Sequence, residues 1–167
     1  PGRTLAQWGN PSLAYRAANV DYRVDHGAFF QVNRWLVDPL VEQVALGQSG
    51  ALAWDLFAGV GLFARKLAES FAKVVAGEST PAATNALAAN LQGTTGIAVR
   101  SSTVHFLREN RRGQPPDVIV VDPPRTGLGA ETTSLLAEIK APALTYVSCD
   151  PATLARDLRA LLPAGYA

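Results

Sequence analysis

The chain has 167 residues, of which 48% are hydrophobic and 17% charged, and a formal net charge of +1. That length suits one domain with a sizeable core, and the balance excludes both a disordered chain and a strongly basic nucleic-acid binder, though not a local basic patch. The single cysteine, Cys149, excludes an intrachain disulfide and a cysteine-held cluster; it fits a reducing, cytoplasmic setting. No apolar run reaches the roughly 18 residues of a membrane span, and no signal-peptide pattern opens the chain, which starts at Pro1 as a processed or cut chain would.

Residues 1–28 read as a β-rich lead-in, with a turn at Gly9-Asn10-Pro11 and a strand in the alternating Asp21–Asp25. Residues 29–167 read as the main domain. Asn33 stands where it would cap a helix over 34–46, with Trp35, Leu36, Leu40, Val41 and Val44 at apolar spacing; Pro39 should kink or shorten that helix. From Ala51 strands and helices alternate. Strands are predicted over 51–55, 73–77, 96–100, 117–121 and 143–148, and helices over 62–70, 81–92, 102–110, 130–139 and 151–162. Thr80-Pro81 and Asp150-Pro151 each read as an N-cap followed by proline at the first helical position. Asp117–Val121 is apolar on both faces, as a central parallel strand should be. The repeated units predict an α/β, Rossmann-like fold: a mainly parallel sheet, central order 3-2-1-4-5, helices on both faces.

The chain is organised around Asp55–Ala64. An apolar strand, Ala51–Trp54, runs into a turn holding Gly59 and Gly61, and a helix leaves it. Glycines there permit positive φ and let the backbone approach a ligand. Gly59-x-Gly61-x-x-Ala64 fits a dinucleotide corner, and Glu78, at the end of the next strand, is placed to accept bonds from ribose hydroxyls. A nicotinamide or flavin enzyme and an S-adenosylmethionine enzyme both fit, since each ligand presents an adenosine ribose.

Three later stretches bear on the choice. Asp122 follows the central strand and precedes Pro123-Pro124-Arg125, which stiffen the loop beneath its carboxylate. Amino-group methyltransferases carry an aromatic after such a proline pair; Arg125 in its place argues against that class. Cys149 ends the strand at 143–148, and the positive end of the following helix faces the sulfur. Gln31, within Phe29–Asn33, offers a donor and an acceptor, as a uracil edge or a methionine moiety requires. Arg108, Arg111 and Arg112 form a compact basic cluster at a solvated helix end.

Four motifs in order, Phe29–Asn33, Asp55–Gly61, Val121–Leu128 and Tyr146–Leu158, resemble the RNA uracil-C5 methyltransferases that use S-adenosylmethionine. The resemblance covers roughly residues 10–166 and implies the class I methyltransferase fold. It also implies methylation of a uridine in tRNA or ribosomal RNA to 5-methyluridine. Cys149 would be the nucleophile; Gln31, Phe57, Gly59, Gly61, Leu62, Glu78 and Asp122 would surround the cofactor and the target base. A thiolate adding to C6 would make C5 nucleophilic enough to take a methyl group, and a paired target base would have to be flipped.

Departures from the family pattern set further expectations. The family's glutamate base falls after two further strands, beyond Ala167. Ser101-Ser102-Thr103 stands where an aspartate is usual, which implies lower cofactor affinity, and Leu62 replaces a residue that is often polar. The family's N-terminal RNA-binding barrel has no counterpart here. The expectation is therefore a fragment that binds cofactor with little turnover and pairs with a second copy along the open edge of the 143–148 strand. The alternatives are a non-catalytic RNA- or cofactor-binding module and a nicotinamide-dependent oxidoreductase.

Overall fold

The computed structural model describes residues 8–166; the first seven residues of the expected lead-in lie outside them. Strands β1 (Ser12–Ala17) and β2 (Val20–Asp25) form an antiparallel hairpin with Ser12 opposite Asp25 and Ala17 opposite Val20. Its turn is Ala18-Asn19, with φ of 47° and 61°, a left-handed pair whose twist matches the strands. The sequence predicts a strand at β2 but not at β1, because Ala-Asn lacks the glycine such turns favour. Tyr22 and Ala17 are buried in the same core as the central sheet, and Asn90 ties the hairpin down by bonding both backbone groups of Arg23, at 2.8 and 2.9 Å.

Helix α1 (Val37–Ala45) is shorter than the expected 34–46. Asn33 does not cap it: its Oδ1 accepts from the Trp35 N–H at 3.2 Å in a local turn, and the helix starts after Leu36 with no side-chain cap. Pro39 falls in the first turn, where its missing N–H costs no intrahelical bond. Trp35 and Leu36 therefore fall outside the helix and are exposed, while Val37, Val41 and Val44 are buried.

The rest of the chain alternates as expected: β3 (Gly50–Leu56), α2 (Leu62–Leu67), β4 (Phe71–Glu78), α3 (Pro81–Asn90), β5 (Gly96–Arg100), α4 (Thr103–Asn110), β6 (Val118–Val121), α5 (Gly129–Ile139), β7 (Ala143–Tyr146) and α6 (Pro151–Leu161). The five strands β3 to β7 are all parallel and lie in the order β5-β4-β3-β6-β7, which is the predicted 3-2-1-4-5. Alternation along the central strands feeds two cores, one on each face. Ala53, Val118 and Val120 join Val41, Leu67 and Leu87 on one face. Trp54, Ile119 and Val121 join Phe106, Leu136 and Leu161 on the other.

Asp150 caps α6 as expected, accepting from the Thr153 N–H at 2.8 Å. The basic cluster ends as ion pairs between helices, Arg108 with Glu131 and Arg111 with Glu138; both are exposed and add little stability. β7 is an edge strand and stops at Tyr146, although the Val147 N–H still reaches the Val121 carbonyl at 2.9 Å. No helix among the described residues is long and apolar enough to cross a membrane.

Candidate active site

The turn after β3 has three left-handed residues within five positions: Phe57 (φ 62°), Gly59 (φ 56°) and Gly61 (φ 92°). A bulky residue such as Phe57 adopts that conformation only where its surroundings over-determine it. They do so here. The Ala58 N–H donates to the Gly77 carbonyl at 3.0 Å, the Gly59 N–H to Glu78 Oε2 at 3.0 Å, and the Gly61 N–H to the Ala58 carbonyl at 2.8 Å. Gly61 is the N-cap of α2 and has no side chain to cap with, so Asp55 does this from the strand, its Oδ2 accepting from the Ala64 N–H at 2.8 Å. Asp55 is fully buried, and its Oδ1 has no partner among the described residues. Burial pushes its acid up to about 8 against the Ala64 bond, and the charges of Asp122 and Glu78 push the same way.

Glu78, at the carboxyl end of β4, is held from several sides. Its Oε1 accepts from the N–H groups of Ser79 and Thr80, each at 2.7 Å, and from the Thr80 hydroxyl at 2.8 Å. Thr80 is the N-cap residue of α3 and Pro81 opens the helix, as expected, but the Thr80 hydroxyl is spent on Glu78 and makes no side-chain cap bond. Asp122 leaves the end of β6 half-buried. Gln31 Nε2 donates to its Oδ2 at 3.3 Å, a contact across 91 positions of sequence. Burial raises the Asp122 acid to about 6, against the lowering effect of that bond. Cys149 is exposed, in the segment between β7 and α6.

These groups meet in one cavity of about 1080 Å³, lined by Gln31, Phe57, Gly59, Leu62, Glu78, Asp122 and Cys149 among others. Gly61 stands apart. It is buried in the turn, and a Cβ there would come within 2.6 Å of Leu87 Cδ1 on α3, so its place is structural packing under the turn. The cavity also takes in Ser79, Thr80, Arg125 and Thr132, none of which sequence reasoning singled out for a site. Ser102 and Thr103, noted in the sequence as replacing an acid, line it too. A smaller hollow of about 440 Å³ between α5 and α6 contains neither the thiol nor Asp122.

Sequence reasoning also missed Asp157. It is 2% exposed on α6, and its Oδ2 accepts from the Leu128 N–H at 2.7 Å and from the Tyr146 hydroxyl at 2.8 Å. The signal was present: Asp157 sits at helical spacing between Leu154 and Leu161 on an otherwise apolar stripe.

A parallel sheet in this order, with an acid after its second strand and a glycine turn after its first, defines a class I methyltransferase-like domain. Residues 115–164 match the family described as tRNA (Uracil-5-)-methyltransferase. The chain is 37% identical over 164 residues to an uncharacterized RNA methyltransferase of Streptomyces coelicolor, a match covering 95% of this chain and 36% of that protein. It is 38% identical over 143 residues to the 23S rRNA (uracil(1939)-C(5))-methyltransferase RlmD of Halomonas elongata, covering 81% and 29%. Among solved structures, the Pyrococcus abyssi tRNA (uracil-54, C5)-methyltransferase, a complex with S-adenosyl-L-homocysteine, superposes with a TM-score of 0.79 at 28% identity, over 95% of this chain and 42% of that one. The chain is thus similar to RNA uracil-C5 methyltransferases, as its four motifs imply, and it spans about a third of the length of the curated relatives it matches.

Proposed function

We propose that the chain is the S-adenosylmethionine-binding, methyl-transferring part of an enzyme that methylates C5 of a uridine in tRNA or ribosomal RNA. One observation carries the reading: the lone thiol, the Asp122 carboxylate, Gln31 and the glycine turn line a single cavity. At about 1080 Å³ it reaches the upper limit of ordinary small-ligand pockets, roughly 1000 Å³, which suits a cofactor and a flipped base together. The residues present fit the cofactor. Glu78 has acceptor capacity on Oε2 beyond its bond to Gly59, which suits ribose hydroxyls. Phe57 and Leu62 offer apolar surface, and a Cβ at Gly59 would meet nothing within 4 Å, so the backbone there is open to a ligand.

S-adenosylmethionine supplies an electrophilic methyl group. The chain's own part begins at Cys149, whose thiolate bonds to uracil C6 and drives an electron pair through C5 and C4 onto O4. C5 would then take the methyl group with that electron pair, the methyl–sulfur bond breaking to leave S-adenosylhomocysteine. A base removes the C5 proton, the double bond reforms, and the C6–S bond breaks to return the thiolate. Asp122 and Gln31, bonded to each other, orient the uracil edge or the methionine end.

Titration calorimetry with S-adenosylmethionine and S-adenosylhomocysteine tests the cofactor, and no heat with either removes it. RNA carrying 5-fluorouridine tests the nucleophile, because fluorine at C5 blocks proton removal and leaves the adduct in place. A mass shift on the peptide containing Cys149, absent from Cys149→Ala, is the expected result; bound RNA without an adduct would take the role from Cys149. Pairing of two copies along the edge of β7 belongs to the same proposal, and a concentration-independent monomer in sedimentation removes it.

A further inference from the structure

Two loops face the cavity from adjacent strands. One carries Asp122 and Arg125 away from β6; the other carries Cys149 away from β7. The sheet sets them in register up to Val121 opposite Tyr146. Beyond that pair and the single bond from the Val147 N–H to the Val121 carbonyl, the ladder ends, and no strand pairing fixes the distance from the thiol to the carboxylate.

A buried carboxylate takes over where the ladder stops. Asp157 Oδ2 accepts from the Leu128 N–H, at the end of the first loop, and from the Tyr146 hydroxyl, at the root of the second. Its Oδ1 accepts from Nε and Nη2 of Arg156, at 3.0 and 2.8 Å. The same Nη2 donates to the Thr126 carbonyl at 2.8 Å, so the first loop is held at two points from α6. Gly127 lies between those points with φ 74°, and a Cβ there would stand 2.5 Å from Asp157 Oδ2 and 2.6 Å from Arg156 Nη2. A side chain would therefore push the loop off the clamp. Burial opposes the charge on Asp157, and the bonds from Leu128, Arg156 and Tyr146 overcome it, holding the acid below its usual range. The clamp is thus charged at neutral pH, and charge-assisted bonds of this kind are the stronger ones.

We infer that Asp157 is a positioning residue that ties the loop of Asp122 and Arg125 to the segment of Cys149, and so sets the separation of carboxylate and thiol across the cavity. The inference rests on the functional reading above. Asp157 does not line the main cavity; it acts through Leu128 and Tyr146.

The test compares the parent chain with Asp157→Asn and Tyr146→Phe. The adduct rate is measured at saturating 5-fluorouridine RNA, alongside cofactor affinity by calorimetry. Asp157→Asn loses acceptors for Arg156 and should slow adduct formation by roughly 10- to 100-fold, the scale of a small misplacement of reacting groups. Cofactor affinity should fall by less than the adduct rate, because Glu78 and the glycine turn make no hydrogen bond to the clamp and Asp122 is the one cofactor-facing group carried on the clamped loop. Tyr146→Phe removes one donor and should give a smaller loss with the same split; it decides the matter if Asp157→Asn does not fold. An unchanged adduct rate overturns the inference, as does a loss of rate matched by an equal loss of cofactor affinity. If the parent chain forms no adduct, the functional reading fails by itself. The clamp is then judged by hydrogen exchange at Leu128: protection lost in Asp157→Asn with β3 unchanged supports it, and protection retained overturns it.

Discussion

Replacing Asp55 by Asn should abolish a pH dependence of stability that the parent chain carries between about pH 4 and pH 8. Asp55 is fully buried under the glycine turn, with one oxygen bonded to the Ala64 N–H and the other without a partner among the described residues. Its acid lies at about 8 in the fold against 3.8 ordinarily. At low pH the side chain is protonated in both folded and unfolded chains. As pH rises through its ordinary value, the unfolded chain releases the proton while the folded chain keeps it, until the folded acid itself ionises near 8. The raised acid therefore contributes stability that is fully present below about pH 4 and is lost as pH rises through about 8. A difference of one bound proton gives a slope of about 1.4 kcal/mol per pH unit, so about 2.7 kcal/mol is lost between pH 5 and pH 7. Asn has nearly the same shape, keeps an acceptor for the Ala64 N–H and has no proton to lose. Urea unfolding of both proteins at pH 5, 6 and 7 reads the difference directly. Asp122 titrates in both and cancels. A difference that stays flat with pH would refute the reasoning and show that the helix-end bond to Asp55 outweighs its burial.

Gly61→Ala should cost about 2 kcal/mol in urea unfolding, since φ of 92° is strained for any side chain and the new Cβ must displace Leu87 Cδ1. Tyr22→Phe removes a buried bond from the phenol to the Leu62 carbonyl, 3.2 Å long, and should cost about 1 kcal/mol by the same measurement. Asp122, raised by burial to about 6, should impart a pH step near 6 to the calorimetric affinity for S-adenosylmethionine. The positively charged ligand should bind more tightly above that pH, where the carboxylate is ionised, and Asp122→Asn should flatten the step.

The parts of this structure that could be read from sequence are those decided within a few residues. Val118–Val121 is apolar on both faces because both faces of a central strand are covered, and Asp150-Pro151 caps α6 because capping geometry is local. That Glu78, Asp122 and Cys149 line one cavity could be expected from sequence, because strand ends in such a sheet converge on one edge; Gln31 lies between β2 and α1, where no strand-end argument places it. What escaped depends on partners far along the chain. The Thr80 hydroxyl was free to cap α3 until Glu78 claimed it. Ala18-Asn19 is a weak turn signal; the hairpin is held by Tyr22 against Leu62 and by Asn90 against Arg23, contacts 40 and 67 positions apart. Phe57 shows nothing in sequence of its positive φ, which comes from the bonds of Ala58 and Gly59 to the end of β4.

The charge of the corner argues for one ligand class over the other that shares the glycine pattern. A nicotinamide dinucleotide brings a pyrophosphate with two negative charges, normally seated against the first turn of the helix after the glycines. Here α2 has six residues, and its first turn is already bonded to a carboxyl group, Asp55 Oδ2 on the Ala64 N–H. Glu78 and Asp122 line the same cavity, and both act on Asp55 strongly enough to help raise its acid. Arg125 is the basic residue among those lining the cavity, and it belongs to the loop after β6, away from the glycine turn in sequence. At neutral pH Asp55 keeps its proton, so the carboxylates of Glu78 and Asp122 are the ones that repel a pyrophosphate and favour a ligand carrying a sulfonium and an ammonium group. Titration of reduced nicotinamide cofactors should therefore leave their fluorescence unchanged at concentrations where S-adenosylmethionine gives measurable heat. A saturable fluorescence change with the reduced cofactor, competed by S-adenosylmethionine, would reverse this ordering of ligands and restore the oxidoreductase reading of the glycine corner.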